Sequence, residues 1–326
     1  MELLTSYIRK IFKNIIFIFK SLISLERIRI LLTLFSVGFV GLIICINFNK
    51  ITQEEINIKS IILLAIGCLV SVLSIIINGL AWKQIIRWLG YKENNINIIY
   101  LFIRTNSLKY LPGGIWHFLE RFRVLNSSLS PEQAFASVLL EPFLMMSAAL
   151  FLLPVTDLKN ITLLIFLLPS VLLAKRFRNS LLMQLGVIKN LQLKKIVSKF
   201  NLSRAFISQS NPSSSFPLTP FVIEVLFILL KFAAFWFCLK AFMIDDYIPT
   251  SRWLFTFSLA WTIGLLVPSA PGGIGIFESF VLLTIGENIP EELLLLALIS
   301  YRLITSIADL IVPGILFLKR IFYRLN

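Results

Sequence analysis

The tetrapeptide Pro112-Gly113-Gly114-Ile115 interrupts an apolar stretch at 97–119, and it recurs as Pro271-Gly272-Gly273-Ile274 inside a second apolar stretch, 254–285. Proline lacks a backbone N–H, and glycine adopts conformations that are closed to other residues. In apolar surroundings, a broken helix leaves backbone groups unpaired, which is tolerated only against protein or a wet cavity. The two motifs therefore predict two broken helices beside a cavity. Tight helix packing is the structural alternative.

The alignment of the two motifs, at an offset of 159 residues, continues along the chain without a gap. The other aligned positions are Ser60 with Thr219, Pro131 with Pro290, and Pro154 with Pro313. We therefore predict two repeats, 60–154 and 219–318, each with a spanning helix, a broken element and a second spanning helix. Such repeats, in opposite orientations, are the architecture of many secondary transporters.

The composition indicates a single membrane domain over residues 1–326. Hydrophobic residues make up 57% of the chain and charged residues 15%, so a soluble protein of this length could not cover its apolar surface. Six runs near the spanning length accompany the two broken stretches: 30–48, 60–82, 133–153, 161–174, 219–242 and 292–318. The predicted fold class is an all-α, polytopic membrane protein with an inverted repeat and two re-entrant elements.

The distribution of basic residues predicts the topology. If the six clear runs cross and the broken stretches re-enter, 24 of the 31 Lys and Arg residues lie in the cytoplasm, as the positive-inside rule requires. Full crossing by either or both broken stretches would place the basic loop 175–218 or the C-terminal end outside. Both termini are therefore expected in the cytoplasm, at an inner or plasma membrane. The basic leader 1–29 suits a helix in the headgroup layer or an ordinary leader before the first span.

Other classes of function find no support in the sequence. The basic residues lie in short loops between apolar runs, so nucleic acid is not an expected partner. The three cysteines occur singly in apolar runs, and His117 is the only histidine, so no metal site is predicted. No Walker loop, HExxH, GxSxG or paired catalytic carboxylate occurs. We expect neither enzymatic activity nor a cofactor.

Charged residues within apolar segments are costly and usually face a protein interior with a partner. They are Glu141, Glu224, Lys231, Lys240, Glu278, Arg302 and Asp309. Glu224 and Lys231 are seven residues apart and share a helix face, as do Arg302 and Asp309. We favour functional roles for Glu278 and Arg302, with a structural ion pair as the alternative. For Glu141 the two interpretations stay open.

Three motifs resemble those of a known membrane family. Lys109-Tyr-Leu-Pro-Gly-Gly-Ile-Trp116 and Pro268-Ser-Ala-Pro-Gly-Gly-Ile-Gly-Ile-Phe-Glu278 are similar to two signature motifs of the lysylphosphatidylglycerol synthase transmembrane region family. Tyr301-Arg302 resembles its third motif. In that family the membrane region is described as flippase-like, moving aminoacylated phospholipids, or it occurs beside glycosyltransferases that use lipid carriers.

The resemblance implies a set of substrate-binding residues: Lys109, Pro112, Gly113, Gly114, Pro271, Gly272, Gly273, Gly275, Glu278 and Arg302. It also implies a lipid substrate with an anionic headgroup, a phospholipid or a polyprenyl-linked lipid. The expected function is flippase-like translocation without the aminoacyl-transferase domain of synthase members. The alternative is a non-transporting membrane partner that presents a lipid-linked sugar to a glycosyltransferase. A glycosyltransferase or a lipid-modifying enzyme is the expected protein partner.

The topology gives a first prediction. Cysteines introduced at Ser127 and Ser203 should be protected from a membrane-impermeant thiol reagent in intact cells, because both positions are assigned to the cytoplasm. A cysteine at Asn288 should react, because it lies in an outer loop. Labelling of the Ser203 position from outside would contradict both the topology and the inverted repeat.

Overall fold

The computed structural model describes residues 57–90, 96–110, 116–129, 131–153, 216–266 and 275–325. Both Pro-Gly-Gly motifs lie outside these ranges. The predicted leader 1–29, the predicted spans 30–48 and 161–174, and all of the predicted loop 175–218 except its last three residues lie outside them as well.

The described part of the chain is helical and contains no strand, as the sequence predicted. The α-helices are α1 (Ile58–Trp88), α2 (Ile98–Asn106), α3 (Trp116–Leu125), α4 (Pro131–Phe151), α5 (Leu218–Ala241), α6 (Thr250–Leu266), α7 (Ile276–Ile285) and α8 (Glu291–Leu325). Short 3₁₀ helices at Ser107–Tyr110 and Gly286–Asn288 follow α2 and α7. Within the described ranges, α1, α4, α5 and α8 are long and apolar enough to cross a membrane.

The helices follow the same order on both sides of the gap between 153 and 216. Each half has a long helix, two short helices on either side of a Pro-Gly-Gly motif, and a second long helix. Three pairs of helices begin 160 residues apart: at Ile58 and Leu218, at Trp116 and Ile276, and at Pro131 and Glu291. A helix therefore begins shortly after each motif, and three of the four helix pairs begin at one spacing, a residue more than the offset of the motifs.

The pair α1 and α5 forms the centre of the described fold and runs antiparallel. The Ser60 hydroxyl, near the start of α1, donates to the Ala241 carbonyl at the end of α5 over 2.7 Å. Gly67 lies at the same interface, where an added Cβ would come within 3.0 Å of Ile304 Cδ1 and 3.3 Å of the Ala234 carbonyl oxygen. Glycine therefore permits the close approach of α1 to both α5 and α8.

An aromatic cluster holds α7 against the long helices of the second half. It consists of Phe235, Phe257, Phe277 and Tyr301, which come from α5, α6, α7 and α8. All six pairs of ring centroids lie 5.4 to 6.0 Å apart. Such pairs contribute about 0.5–1.5 kcal/mol each beyond the burial of apolar area. The cluster therefore fixes the position of Phe277, and with it that of the neighbouring Glu278.

The outward faces of the long helices carry large apolar side chains. Ile58 and Leu69 of α1 are 72% and 69% exposed, and Leu218 of α5 and Leu310 of α8 are 64% and 61% exposed. Water would penalise such a surface, whereas hydrocarbon chains would not. These faces are those that a membrane protein presents to lipid.

The glycine contact at the centre of the fold can be tested by overpacking. Gly67→Leu should lower the thermal stability in detergent by about 1–3 kcal/mol, because the new side chain must displace Ile304 or separate α1 from α5. Gly314→Leu is the control, since no atom lies within 4 Å of a Cβ at that position on α8. Equal melting temperatures for the two variants would contradict this packing.

Candidate functional site

Two charged residues of α8 each form an ion pair with a residue that flanks a Pro-Gly-Gly motif. Arg302 pairs with Glu278, in the first turn of α7. Asp309 pairs with Lys109, in the 3₁₀ helix before the first motif, with Nζ to Oδ2 at 2.7 Å. Arg302 and Asp309 share a face of α8, as the sequence suggested, but each finds its counter-charge on another element.

Glu278 is held by the backbone that leads into α7. The N–H of Gly275, the residue before the helix, donates to Glu278 Oε2 over 2.7 Å. Gly275 has φ 87°, a left-handed conformation that favours glycine. Arg302 Nη2 lies 3.5 Å from the same oxygen, and its guanidinium carbon lies 5.1 Å from the Phe277 ring centroid. These contacts fix the guanidinium on α8 beside the start of α7.

Asp309 is fully satisfied by groups from the end of α2 and the following 3₁₀ helix. The Tyr110 hydroxyl donates to Oδ2 over 2.6 Å, and the Asn106 amide donates to Oδ1 over 2.6 Å. The Asp309 side chain is 2% exposed. The Lys109 ion pair and these two hydrogen bonds together anchor the chain just before the first motif.

Lys231 of α5 is a buried cation, 7% exposed, with no carboxylate within 4.0 Å among the described residues. Its ammonium donates to the Ser71 hydroxyl over 3.3 Å and lies 5.9 Å from the Phe227 ring centroid. It is near enough to Asp309, Lys109 and Arg302 to interact with their charges. A neutral hydroxyl and a distant ring do not compensate a buried ammonium as a carboxylate would.

These charges form what we term the cationic cluster: Lys109, Lys231, Glu278, Arg302 and Asp309. Three cations against two carboxylates leave a net charge of +1. A site with one excess positive charge and with lysine and arginine donors is suited to a phosphate or another anion.

A second buried ion pair joins α3 and α4. Arg121 Nη1 lies 2.6 Å from Glu141 Oε2, and both side chains are almost fully buried. The Arg121 Nε–H donates to the Thr105 hydroxyl over 3.0 Å. The guanidinium carbon lies 3.9 Å from the Phe102 ring centroid and 5.1 Å from that of Trp82. Glu141 therefore has a well-defined partner, Arg121. The sequence analysis had counted Arg121 among the basic residues of the cytoplasmic regions.

The ten sequence-predicted site residues have different outcomes. Four lie in the described ranges: Lys109, Gly275, Glu278 and Arg302. The structure joins Gly275, Glu278 and Arg302 directly and connects Lys109 to the same helix through Asp309. Six lie outside the described residues: Pro112, Gly113, Gly114, Pro271, Gly272 and Gly273.

Sequence reasoning did not include Asp309, Tyr110 or Lys231 among the site residues. Asp309 and Lys231 were recognised as intramembrane charges, but the seven-residue spacing suggested partners on their own helices. The structure gives Lys231 no contact with Glu224 and gives Asp309 a partner 200 residues away. The one sequence feature that could have indicated the partners of Asp309 is that Lys109 and Tyr110 lie directly before the first motif.

The comparison with protein families identifies a family whose model covers most of the chain. The model of a family described as Lysylphosphatidylglycerol synthase TM region matches residues 17–312. A search of curated proteins found no match. The matched range includes both Pro-Gly-Gly motifs and all five residues of the cationic cluster.

The structural importance of the Asp309 pair can be measured against an exposed pair. Asp309→Asn should destabilise the protein by about 3 kcal/mol, because it leaves Lys109 without its counter-charge in a largely buried site. Glu120→Gln is the control, since its partner Arg104 is 44% exposed and such pairs contribute about 0–1 kcal/mol. The measurement is thermal unfolding in detergent, and similar losses in the two variants would contradict the anchoring role of Asp309.

Proposed function

Because the chain belongs to the lysylphosphatidylglycerol synthase TM region family, whose name associates it with lipid handling, we propose that it binds an anionic lipid and moves it across the membrane. The substrate is a phospholipid or a polyprenyl-linked lipid. Lys231 is the observation that carries the proposal, because a buried cation without a carboxylate partner calls for an anionic ligand. The protein acts by binding and movement rather than by catalysis.

The charge of the cationic cluster supports an anionic headgroup. A charge at bilayer depth costs about 2.5–3.5 kcal/mol on insertion scales, so an excess cation is a persistent penalty in the empty site. A phosphate group would neutralise it and accept hydrogen bonds from Lys231 and Arg302. Arginine can grip a phosphate with two parallel hydrogen bonds, whereas lysine acts as a compact point charge.

The relation between the two halves supports an inverted repeat with the site at its interface. The equivalent helices α1 and α5 run antiparallel, as expected of repeats with opposite orientations. Ser71 and Lys231 are 160 residues apart, within one residue of the 159-residue offset of the motifs, and they contact each other. A contact between nearly equivalent positions is expected close to a local two-fold axis, and substrate sites of inverted-repeat transporters lie at the repeat interface.

The contacts of the remaining helices also recur when the two halves are interchanged. Helix α1 packs against α8, and its equivalent α5 packs against α4. Helix α2 likewise packs against α8, and its equivalent α6 packs against α4. The helix that precedes each motif therefore packs against the second spanning helix of the opposite half. In our proposal, both motifs re-enter from the side on which they start, and both chain termini lie in the cytoplasm.

The cationic cluster extends along the membrane normal. Arg302 and Asp309 are two helical turns apart, about 10.5 Å at 1.5 Å per residue. The Arg302–Glu278 and Asp309–Lys109 ion pairs are therefore at different depths. Lys231 is near enough to interact with the charges of Arg302 and of Asp309. A headgroup could pass from one end to the other while its acyl or polyprenyl chains remain beside the apolar helix faces.

Lys231→Met separates this role from a structural one. The variant should keep or raise the melting temperature, because it removes an uncompensated buried charge. It should lose co-purifying anionic lipid, measured by mass spectrometry, and lose movement of a fluorescent phosphatidylglycerol in reconstituted vesicles. Lys240→Met on the same helix is the control, since Lys240 is exposed.

Two results would change the proposal. Normal lipid retention and movement by the Lys231→Met protein would remove the cationic cluster as the headgroup site. Lipid retention without movement in the wild-type protein would favour the alternative function, presentation of a lipid-linked sugar to a glycosyltransferase.

A further inference from the structure

Glu224 of α5 is a buried carboxyl group that the cationic cluster does not use. Its side chain is fully buried, and neither carboxylate oxygen has a hydrogen-bond partner among the described residues. An ionised carboxylate in such surroundings carries a large desolvation cost. The group therefore requires a bound cation or a proton.

The charged groups around Glu224 come from two neighbouring helices. Among the described residues, those that act on it are Glu141 of α4 and Arg121 of α3. Arg121 is already engaged by Glu141 at 2.6 Å and by the Thr105 hydroxyl. With both carboxylates ionised, these three side chains carry a net charge of −1, and one added proton makes them neutral.

The donor set favours a proton over a metal ion. Hard cations such as Ca²⁺ and Mg²⁺ take six or more oxygen ligands at short distance. In the part of the chain that the structure describes, no three His, Cys, Asp or Glu side chains are grouped to hold a metal. A proton needs only one carboxylate oxygen, and Glu224 has two without partners.

We propose that Glu224 binds a proton that is released and taken up again each time the protein moves a lipid. Protonation forms one O–H bond on the Glu224 carboxylate, and release returns the proton to water and leaves the carboxylate. This inference rests on the proposed function and adds a coupling ion to it.

The position of Glu224 connects it to the headgroup site. Glu224 and Lys231 are two turns apart on α5, about 10.5 Å, and share a face of the helix. A displacement of α5 therefore changes the surroundings of both groups together. A singly charged anionic headgroup that moves with one proton transfers no net charge, so the membrane potential does not oppose the step.

Infrared spectroscopy of the purified full-length protein tests proton binding without requiring transport. At neutral pH, the wild-type protein should show the C=O absorption of a protonated carboxyl group, and Glu224→Gln should remove it. Glutamine has the shape of the neutral acid, so the variant should fold. Glu287→Gln is the control, because Glu287 is exposed and its loss should leave the band unchanged.

Coupling is tested in vesicles of phosphatidylethanolamine and phosphatidylglycerol that contain a fluorescent phosphatidylglycerol. An imposed pH gradient should change the rate of lipid movement several-fold in the wild-type and Glu287→Gln proteins and leave the Glu224→Gln protein unaffected. Replacing sodium with potassium at constant pH should have no effect; a dependence on either ion would assign the site to a metal cation and overturn the proposal.

The remaining outcomes are also decisive. Absence of the carboxyl band in the wild-type protein would overturn proton binding. If the band depends on Glu224 but the rate of lipid movement does not depend on the pH gradient, coupling is overturned. The proton on Glu224 then has a structural role only. If the wild-type protein moves no lipid at any pH, the proposed function fails, whereas the infrared result still decides whether Glu224 holds a proton.

Discussion

The cost of an uncompensated charge inside a membrane protein is the constraint on which the rest of this structure depends. It explains why Arg302 and Asp309 reach across to segments that flank the two Pro-Gly-Gly motifs. Those segments contain short helices that also bury apolar side chains in the core, Phe102 and Phe277 among them. Their attachment to α8 comes from ion pairs, hydrogen bonds and, in the second half, the aromatic cluster around Phe277. Charge compensation thereby holds Lys109 and Glu278, the described residues that flank the two motifs, against α8.

The same constraint separates the buried charges into two groups of opposite character. The cationic cluster has one positive charge in excess, whereas Arg121, Glu141 and Glu224 together have one negative charge in excess when ionised. Helix α5 contributes Lys231 to the first group and Glu224 to the second. Neither group is balanced within the described residues; in our proposals an anionic headgroup neutralises the first and a proton neutralises the second.

The sequence was sufficient for the features that depend on local composition. The predicted spans 219–242 and 133–153 end within two residues of α5 and α4, because apolar length is a local property. The resumption of helix after each motif was predictable for the same reason. The partners of Asp309 were not, since Asn106 and Tyr110 lie about 200 residues away and only tertiary packing brings them together. The lack of a carboxylate within 4.0 Å of Lys231 among the described residues likewise depends on tertiary packing, which decides the neighbours of this side chain.

The two ion pairs of α8 also have a mechanical consequence. No proline lies between Arg302 and Asp309, so this part of α8 behaves as a rigid rod with both attachments on one face. A tilt of the rod about a point between them draws one attachment towards its partner while it pulls the other away. The two attachments therefore cannot both be loosened by a single tilt. If α8 tilts in this way, one ion pair can lengthen only as the other shortens, and the two pairs would then act as opposite ends of a lever.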